Sequence, residues 1–314
     1  MVTALLIVVR AAHITASILI AGSFTFNLIA IGIRRAAGKD SSMAEQVLVR
    51  LTIWSLLAAA LSGVLWFWLE VVNMTGVPLS GAFSIDAWRT VLLSTKFGHL
   101  WSFRLGIGIA IALCISRNAQ NEARRHSFRL TLWFLSILLL VSLAWTSHAA
   151  AARTQPLGVV SDAVHLWAAG SWVGGLAALG IFLTRASLLS SLDNSLALTL
   201  ERFSALSLCS VSILVASGIC NSWLLIGSVQ ALFTTTYGWL LLFKLTLFGI
   251  LISFGARNRF LVKTKLQNRP EVSALLPQLR RNVICEVGLG VAVLAIVACL
   301  GVTPPAISMV HAMK

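Results

Sequence analysis

The sequence predicts an all-α, polytopic membrane bundle of about eight transmembrane helices, arranged as two parallel four-helix repeats with both termini periplasmic. Three observations predict it: the share of apolar residues, the regular return of long apolar stretches, and the one-sided placement of the basic residues. Of 314 residues, 58% are hydrophobic and 11% charged, with mean hydropathy +0.90. No soluble core could hide that much apolar surface, so the bilayer is the solvent.

A spanning helix needs roughly 20 mostly apolar residues, and such stretches run over 5–33, 50–73, 92–116, 129–148, 160–184, 203–226, 237–256 and 281–302. The first span carries Arg10 and His13 and is followed by Arg34, Arg35 and Lys39. The second opens at Arg50 and reaches Glu70, the third runs through His99 and Arg104 to Arg117, and the fourth runs from Arg129 to His148. The fifth begins with Asp162 and His165 and ends before Arg185, and the sixth follows Arg202. The seventh contains Lys244, and the eighth follows Arg280 and Arg281 and contains Glu286.

The net charge of +14 would suggest nucleic acid in a soluble protein, but here its placement excludes that partner. Seventeen Lys and Arg fall in the loops of one side, whereas the other side holds only Arg89, Arg153 and Lys314 outside the spans. By the positive-inside rule the first side is cytoplasmic, which leaves both termini in the periplasm of a bacterial inner membrane. Trp66, Trp68, Trp88, Trp101, Trp145, Trp167, Trp223 and Trp239 lie toward the outer boundary, as an interfacial belt would. The five cysteines sit singly in apolar stretches without CxxC spacing, which indicates neither a disulfide framework nor a zinc site.

An internal duplication organises the chain. Arg10-Ala11-Ala12-His13 is echoed by Asp162-Ala163-Val164-His165, followed at one constant offset by Ala16/Ala168, Ser17/Ala169 and Gly22/Gly174. Residues 95–105 align with 235–245, which pairs Arg104 with Lys244 at the same depth. Arg50 and Arg202 each lead to a Ser-Gly pair, Ser62-Gly63 and Ser217-Gly218. The first half is expected over 1–148, the second over 149–302, and a Met/His tail over 303–314. An even number of spans per half gives the copies the same orientation. The duplication also argues that the first span is retained rather than cleaved as a signal peptide.

Counting about 1.5 Å per residue from each cytoplasmic basic anchor places His13, His99, His148 and His165 roughly 27–32 Å away. That is the outer edge of a hydrocarbon core about 30 Å thick. Glu70 falls in the same layer, and Asp162 lies one turn before His165 on the same helix face. Buried ionisable groups in spans face a bundle interior or an aqueous cavity, which makes this layer the expected ligand set. The tail adds Met309, His311 and Met313, whose thioethers suit Cu(I), while imidazole suits copper in either oxidation state and several other metals. Copper, as Cu(I) or Cu(II), is the ion that both donor types accept. Arg10, Arg104, Lys244 and Glu286 are expected to be structural intramembrane charges, with Arg104 and Lys244 a pair at the interface between halves that balances Asp162, Glu70 or Glu286.

The residues 95–104, Ser147-His148-Ala149-Ala150 and 162–175 resemble the bacterial copper resistance D family, CopD. So do Arg202-Phe203-Ser204, Ser217-Gly218, residues 237–244, Asn258-Arg259 and 281–286. The resemblance implies a copper-homeostasis protein of the inner membrane that accepts copper from a CopC-like periplasmic carrier and moves it inward. No CopC-like β-domain precedes the first span, so that partner is expected to be a separate chain. No Walker motif or phosphorylation loop is present, which excludes ATP-driven pumping. An enzyme is not expected. Two alternatives stay open: a haem b electron-transfer protein that uses the same histidines, and an assembly partner or copper sensor.

Overall fold

The computed structural model describes residues 2–30, 41–78, 83–117, 122–151, 155–186, 193–267 and 272–308. Its α-helices are α1 (Val2–Ile29), α2 (Ser41–Thr75), α3 (Ile85–Ser94), α4 (Lys96–Ser116), α5 (Glu122–Val141) and α6 (Gln155–Ala169). They continue as α7 (Gly175–Ala186), α8 (Asp193–Ile226), α9 (Val229–Thr234), α10 (Thr236–Gln267) and α11 (Val272–Leu300). No strand occurs among the described residues.

Among the described residues, eight helices are long and apolar enough to cross a membrane: Val2–Ile29, Gln46–Thr75, Lys96–Ser116, Ser127–Thr146, Pro156–Thr184, Leu196–Ile226, Thr236–Val262 and Leu276–Leu300. The eight expected spans are all found. Their outward faces carry large apolar side chains such as Trp54, Ile219 and Trp223, as a lipid-facing bundle requires.

Four local features depart from uninterrupted spans. The third and seventh spans are each preceded by a short helix, α3 and α9, which the apolar stretches did not reveal. The break is the same at both places. Thr95 and Thr235 are extended and cap the following helix, their Oγ1 accepting from Gly98 N at 2.9 Å and Gly238 N at 3.0 Å. The same hydroxyls donate back to Val91 O and Ala231 O. A side chain on Gly98 or Gly238 would strike the carbonyls that end the short helix, so only glycine permits the tight corner.

The fourth span leaves α-geometry at Val141 and ends in a 3₁₀ turn, Ser142–Thr146, and a second such turn, His148–Ala151, follows beyond the span. The fifth span is interrupted by a π-helical segment, Gly170–Gly174, between α6 and α7.

Spans one and five form the centre. A methyl group on Gly22 would overlap the Gly174 backbone, and one on Gly174 would overlap Ile18 O. Close approach through small residues is the main source of helix association where lipid removes the hydrophobic drive. One buried core joins Phe26 of α1 and Leu48 of α2 to Trp172, Leu183, Phe203, Leu251 and Val283 of later spans. The two expected halves therefore share packing. An aromatic group, Trp66, Phe67, Trp88, Phe97 and Trp101, closes the bundle at the face where α1 begins.

Candidate functional site

His13 and His165 are held alike on the two central spans. His13 Nδ1 lies 3.1 Å from Ala59 O and 3.2 Å from Ser62 Oγ of α2. His165 Nδ1 lies 2.9 Å from Ser217 Oγ of α8. Ser62 and Ser217 give their own hydroxyl protons to carbonyls of the preceding turn, Ala58 O and Ile213 O. Each serine oxygen is thus an acceptor, and a carbonyl can only accept. Ala59 O therefore puts the His13 proton on Nδ1, and with the Ser217 proton on Ile213 O the His165 proton sits there too, which leaves each Nε2 lone pair open. Fixing the tautomer through the far nitrogen is how proteins orient a histidine ligand.

The glycine after each serine lies beside the ring: a methyl on Gly63 would sit 3.4 Å from His13 Cε1, and one on Gly218 would sit 3.7 Å from His165 Cε1, both ordinary contact distances.

Each ring lies in the field of one buried cation, Arg104 at His13 and Lys244 at His165. Trp66, 2% exposed, packs edge-on to His13 at 5.4 Å and lies beneath the guanidiniums of Arg10 at 5.0 Å and Arg104 at 5.7 Å. Both guanidinium distances are within cation–π range. Trp66 is therefore interior and is not part of the expected interfacial belt. Its Nε1 donates to Glu70 Oε1 at 3.1 Å, and Asn73 Nδ2 donates to Glu70 Oε2 at 3.2 Å. Arg104 donates to Ser142 Oγ, Ser142 O and Thr146 Oγ1 at 2.9–3.0 Å. These bonds tie α4 to the start of the 3₁₀ turn. Arg10 is wedged against Gly301, just beyond the end of α11, with Nε buried and unbonded.

The second ring has an anion beside it. Asp162 receives Asn221 Nδ2 at 3.5 Å, lies within hydrogen-bonding range of Ser147, and shares its field with Lys244 and Tyr237. Arg104 and Lys244 thus serve different sites, one bonded to hydroxyls and a carbonyl and the other facing Asp162.

Ser147 and His148 link the two sites. Ser147 faces Asp162, while His148 faces Arg10 and the carbonyls of Leu300 and Thr303. Burial, and then the Arg10 charge, hold the His148 imidazole below its ordinary value of 6.5, against the opposite pull of those two carbonyls. Its Nε2 is buried without a hydrogen-bond partner.

The expected four-histidine set is not brought together as one. His99 is exposed, and its Nε2 bonds Leu93 O at 2.9 Å across the α3–α4 corner. Among the described residues no three His, Cys, Asp or Glu side chains group closely enough to enclose a metal ion. Glu286, expected as a structural charge, is buried elsewhere, against Asn258. Met309, His311 and Met313 lie outside the described residues. Ser62 and Ser217 were visible as repeat landmarks, but nothing in their spacing marked them as histidine partners.

An eight-span helical bundle with two oriented interior imidazoles defines a multi-pass membrane protein with its polar chemistry near one face. The comparisons narrow the class. The family described as copper resistance protein D-like, N-terminal domain, matches residues 1–159, and that described as copper resistance protein D matches 197–300. The chain belongs to the copper resistance protein D family and is a multi-pass protein of the inner membrane.

It is 30% identical over 262 residues to the "Copper transport protein CutJ" of Bacillus subtilis, covering 82% of this chain and 46% of that protein. The chain thus spans less than half the length of that relative. It is 29% identical over 260 residues to "Copper resistance protein D" of Pseudomonas syringae pv. tomato, covering 79% of this chain and 82% of the relative. It is 25% identical over 307 residues to "Inner membrane protein YebZ" of Escherichia coli, covering 95% and 98%. No solved structure matches the chain significantly.

Proposed function

We propose that this chain handles copper, accepting it at the periplasmic face and passing it toward the cytoplasm. The observation that carries the reading is the matched pair of imidazoles, each held through Nδ1 by a serine on the next span and each with Nε2 open. Neutral imidazole with a free Nε2 is a good copper ligand. The relatives named for copper transport and copper resistance support the same cargo.

The two pockets take different parts. At His165 the Lys244 charge is offset by Asp162, whereas His13 has two guanidiniums nearby against Glu70 alone, so the second-half pocket binds first. The guanidiniums of Arg10 and Arg104 beside Trp66 raise the electrostatic cost of a cation at His13, which suits a weaker, transient site. His148, next to Ser147 in the chain and near Arg10, has an unbonded Nε2 and is assigned the part of a bridging ligand. His99 holds the α3–α4 corner, and Glu70 orients Trp66. Met309, His311 and Met313 recruit copper from solution or from a separate CopC-like carrier.

The test is copper stoichiometry and affinity of purified protein in detergent, under reducing and oxidising conditions. The comparison is a variant with His13, His148 and His165 replaced by alanine. The reading expects tight copper binding that the variant lacks, and equal binding by both would overturn it. An absorption spectrum after haem-replete expression tests the alternative: a Soret band lost with His13→Ala and His165→Ala would assign the rings to haem b.

A further inference from the structure

Glu286 takes no part in the outer pockets. It lies ten residues into the 276–300 span, about 15 Å from its start and so near the middle of the membrane. It is 1% exposed. Oε1 accepts from Asn258 Nδ2, and Asn258 Oδ1 accepts in turn from Asn282 Nδ2 at 2.6 Å. Both asparagines are buried, so the chain of donors is fixed in direction.

The other oxygen looks onto open space. Glu286 lines a cavity of about 160 Å³ whose polar members are Ser204, Ser207, Asn258 and Arg259 and whose wall includes Trp172. The walls are mainly apolar, so water in it is confined to the polar edge formed by Ser204, Ser207, Asn258 and Arg259. Gly255 keeps it clear, since a methyl there would stand 3.7 Å from Glu286 Oε2 and from Trp172. Arg259 belongs to the basic loop group on the cytoplasmic side by charge, so the cavity opens toward that side.

The charged groups on neighbouring elements are engaged elsewhere. Arg259 of α10 donates to Ser204 O at 3.0 Å and to Ser204 Oγ at 2.9 Å. Arg257 of α10, Glu201 of α8 and Arg280 and Arg281 of α11 are exposed, Arg202 of α8 donates to Ile29 O at 3.3 Å, Lys244 of α10 faces Asp162, and Arg10 of α1 lies against Gly301 just beyond α11. No cation is paired with the Glu286 carboxylate among the described residues.

We infer that Glu286 is an intramembrane proton-exchange site, loaded and emptied through the Ser204–Arg259 cavity and oriented by the Asn282–Asn258 donor chain. The ligand set excludes the other cargoes. Only oxygens and amides face the carboxylate, which suits Cu(I) poorly. One carboxylate with apolar walls falls short of the six to eight oxygens, or about that number, that a calcium-like ion takes. A proton needs one oxygen. The ionised form keeps the Asn258 hydrogen bond on Oε1, and the neutral form carries its proton on Oε2 toward the cavity. Trp172 lies two turns from His165 on the same span, with the π-helical segment beginning between them, so the site lies directly inward of the second-half pocket. π-helical interruptions recur at functional sites.

The inference stands whatever the outer pockets bind, and the test uses no copper. The purified full-length chain is titrated by infrared difference spectroscopy, following the carbonyl stretch of a protonated carboxylic acid, alongside Glu286→Gln. The same wild-type protein is treated with dicyclohexylcarbodiimide, which adds across a protonated carboxyl in an apolar site, and the labelled residue is read by mass spectrometry. The inference expects a titrating carboxyl band that Glu286→Gln lacks, and carbodiimide labelling at Glu286. A band unchanged by Glu286→Gln, or labelling confined to Asp162 or Glu70, overturns it. If Glu286→Gln does not fold, the wild-type labelling decides alone.

Discussion

Replacing Ser217 by alanine tests whether the serines tune the histidines. Ser217 Oγ, at 2.9 Å, is the acceptor for His165 Nδ1, whereas His13 has both Ser62 Oγ at 3.2 Å and Ala59 O at 3.1 Å. Without Ser217 the free ring moves its proton to Nε2 or turns. Copper binding must then restore Nδ1–H with no acceptor. An unmade hydrogen bond of a partly buried donor costs about 1–3 kcal/mol, which at about 1.4 kcal/mol per tenfold is a loss of roughly five- to 150-fold in affinity. Loss of such an outer partner elsewhere costs about 10–100-fold. Ser62→Ala leaves Ala59 O in place and should weaken binding less than about tenfold. The assay is competition with a chromophoric copper chelator in detergent under reductant, with helicity checked by circular dichroism. Equal losses in the two variants, or a larger loss for Ser62→Ala, would refute the argument.

Gly22→Leu forces a side chain into the Gly174 backbone and should cost at least about 3 kcal/mol, read as a lower unfolding midpoint in detergent. Trp66→Ala removes a large interior ring and the face shared by Arg10 and Arg104, for a loss of about 3–5 kcal/mol in the same assay. His148 should stay neutral to lower pH than an ordinary histidine, and Arg10→Gln should move its titration back toward 6.5, as followed by NMR of labelled histidine. Because its folded-state value is lowered, the unfolded chain binds the extra proton. This contribution is therefore complete above pH 6.5 and declines as pH falls below it.

The spans were legible because a bilayer demands long apolar stretches and the chain supplies them plainly. Their interruptions were not. The corners at Thr95 and Thr235 rest on a capping hydroxyl and a following glycine, short signals inside apolar surroundings. The start of α11 runs earlier than expected, through Pro277.

Depth counting put four histidines in one layer but could not say which way each points. A regular rise of about 1.5 Å per residue also fails after Val141, where 3₁₀ turns rise about 2.0 Å. His13 and His165 were recoverable from the repeat. Their partners Ser62 and Ser217 come from residues |i−j| = 49 and 52 away, a contact no local pattern reports. Trp66 was misplaced for the same reason, since an aromatic at that depth fits a lipid belt and an interior platform equally well.

Copper uptake into proteoliposomes, followed by a trapped copper-sensitive dye, tests the central claim most directly. The account predicts accumulation by the wild-type protein that His165→Ala reduces by about tenfold or more. Undiminished uptake by His165→Ala, in protein shown to be folded, would contradict it.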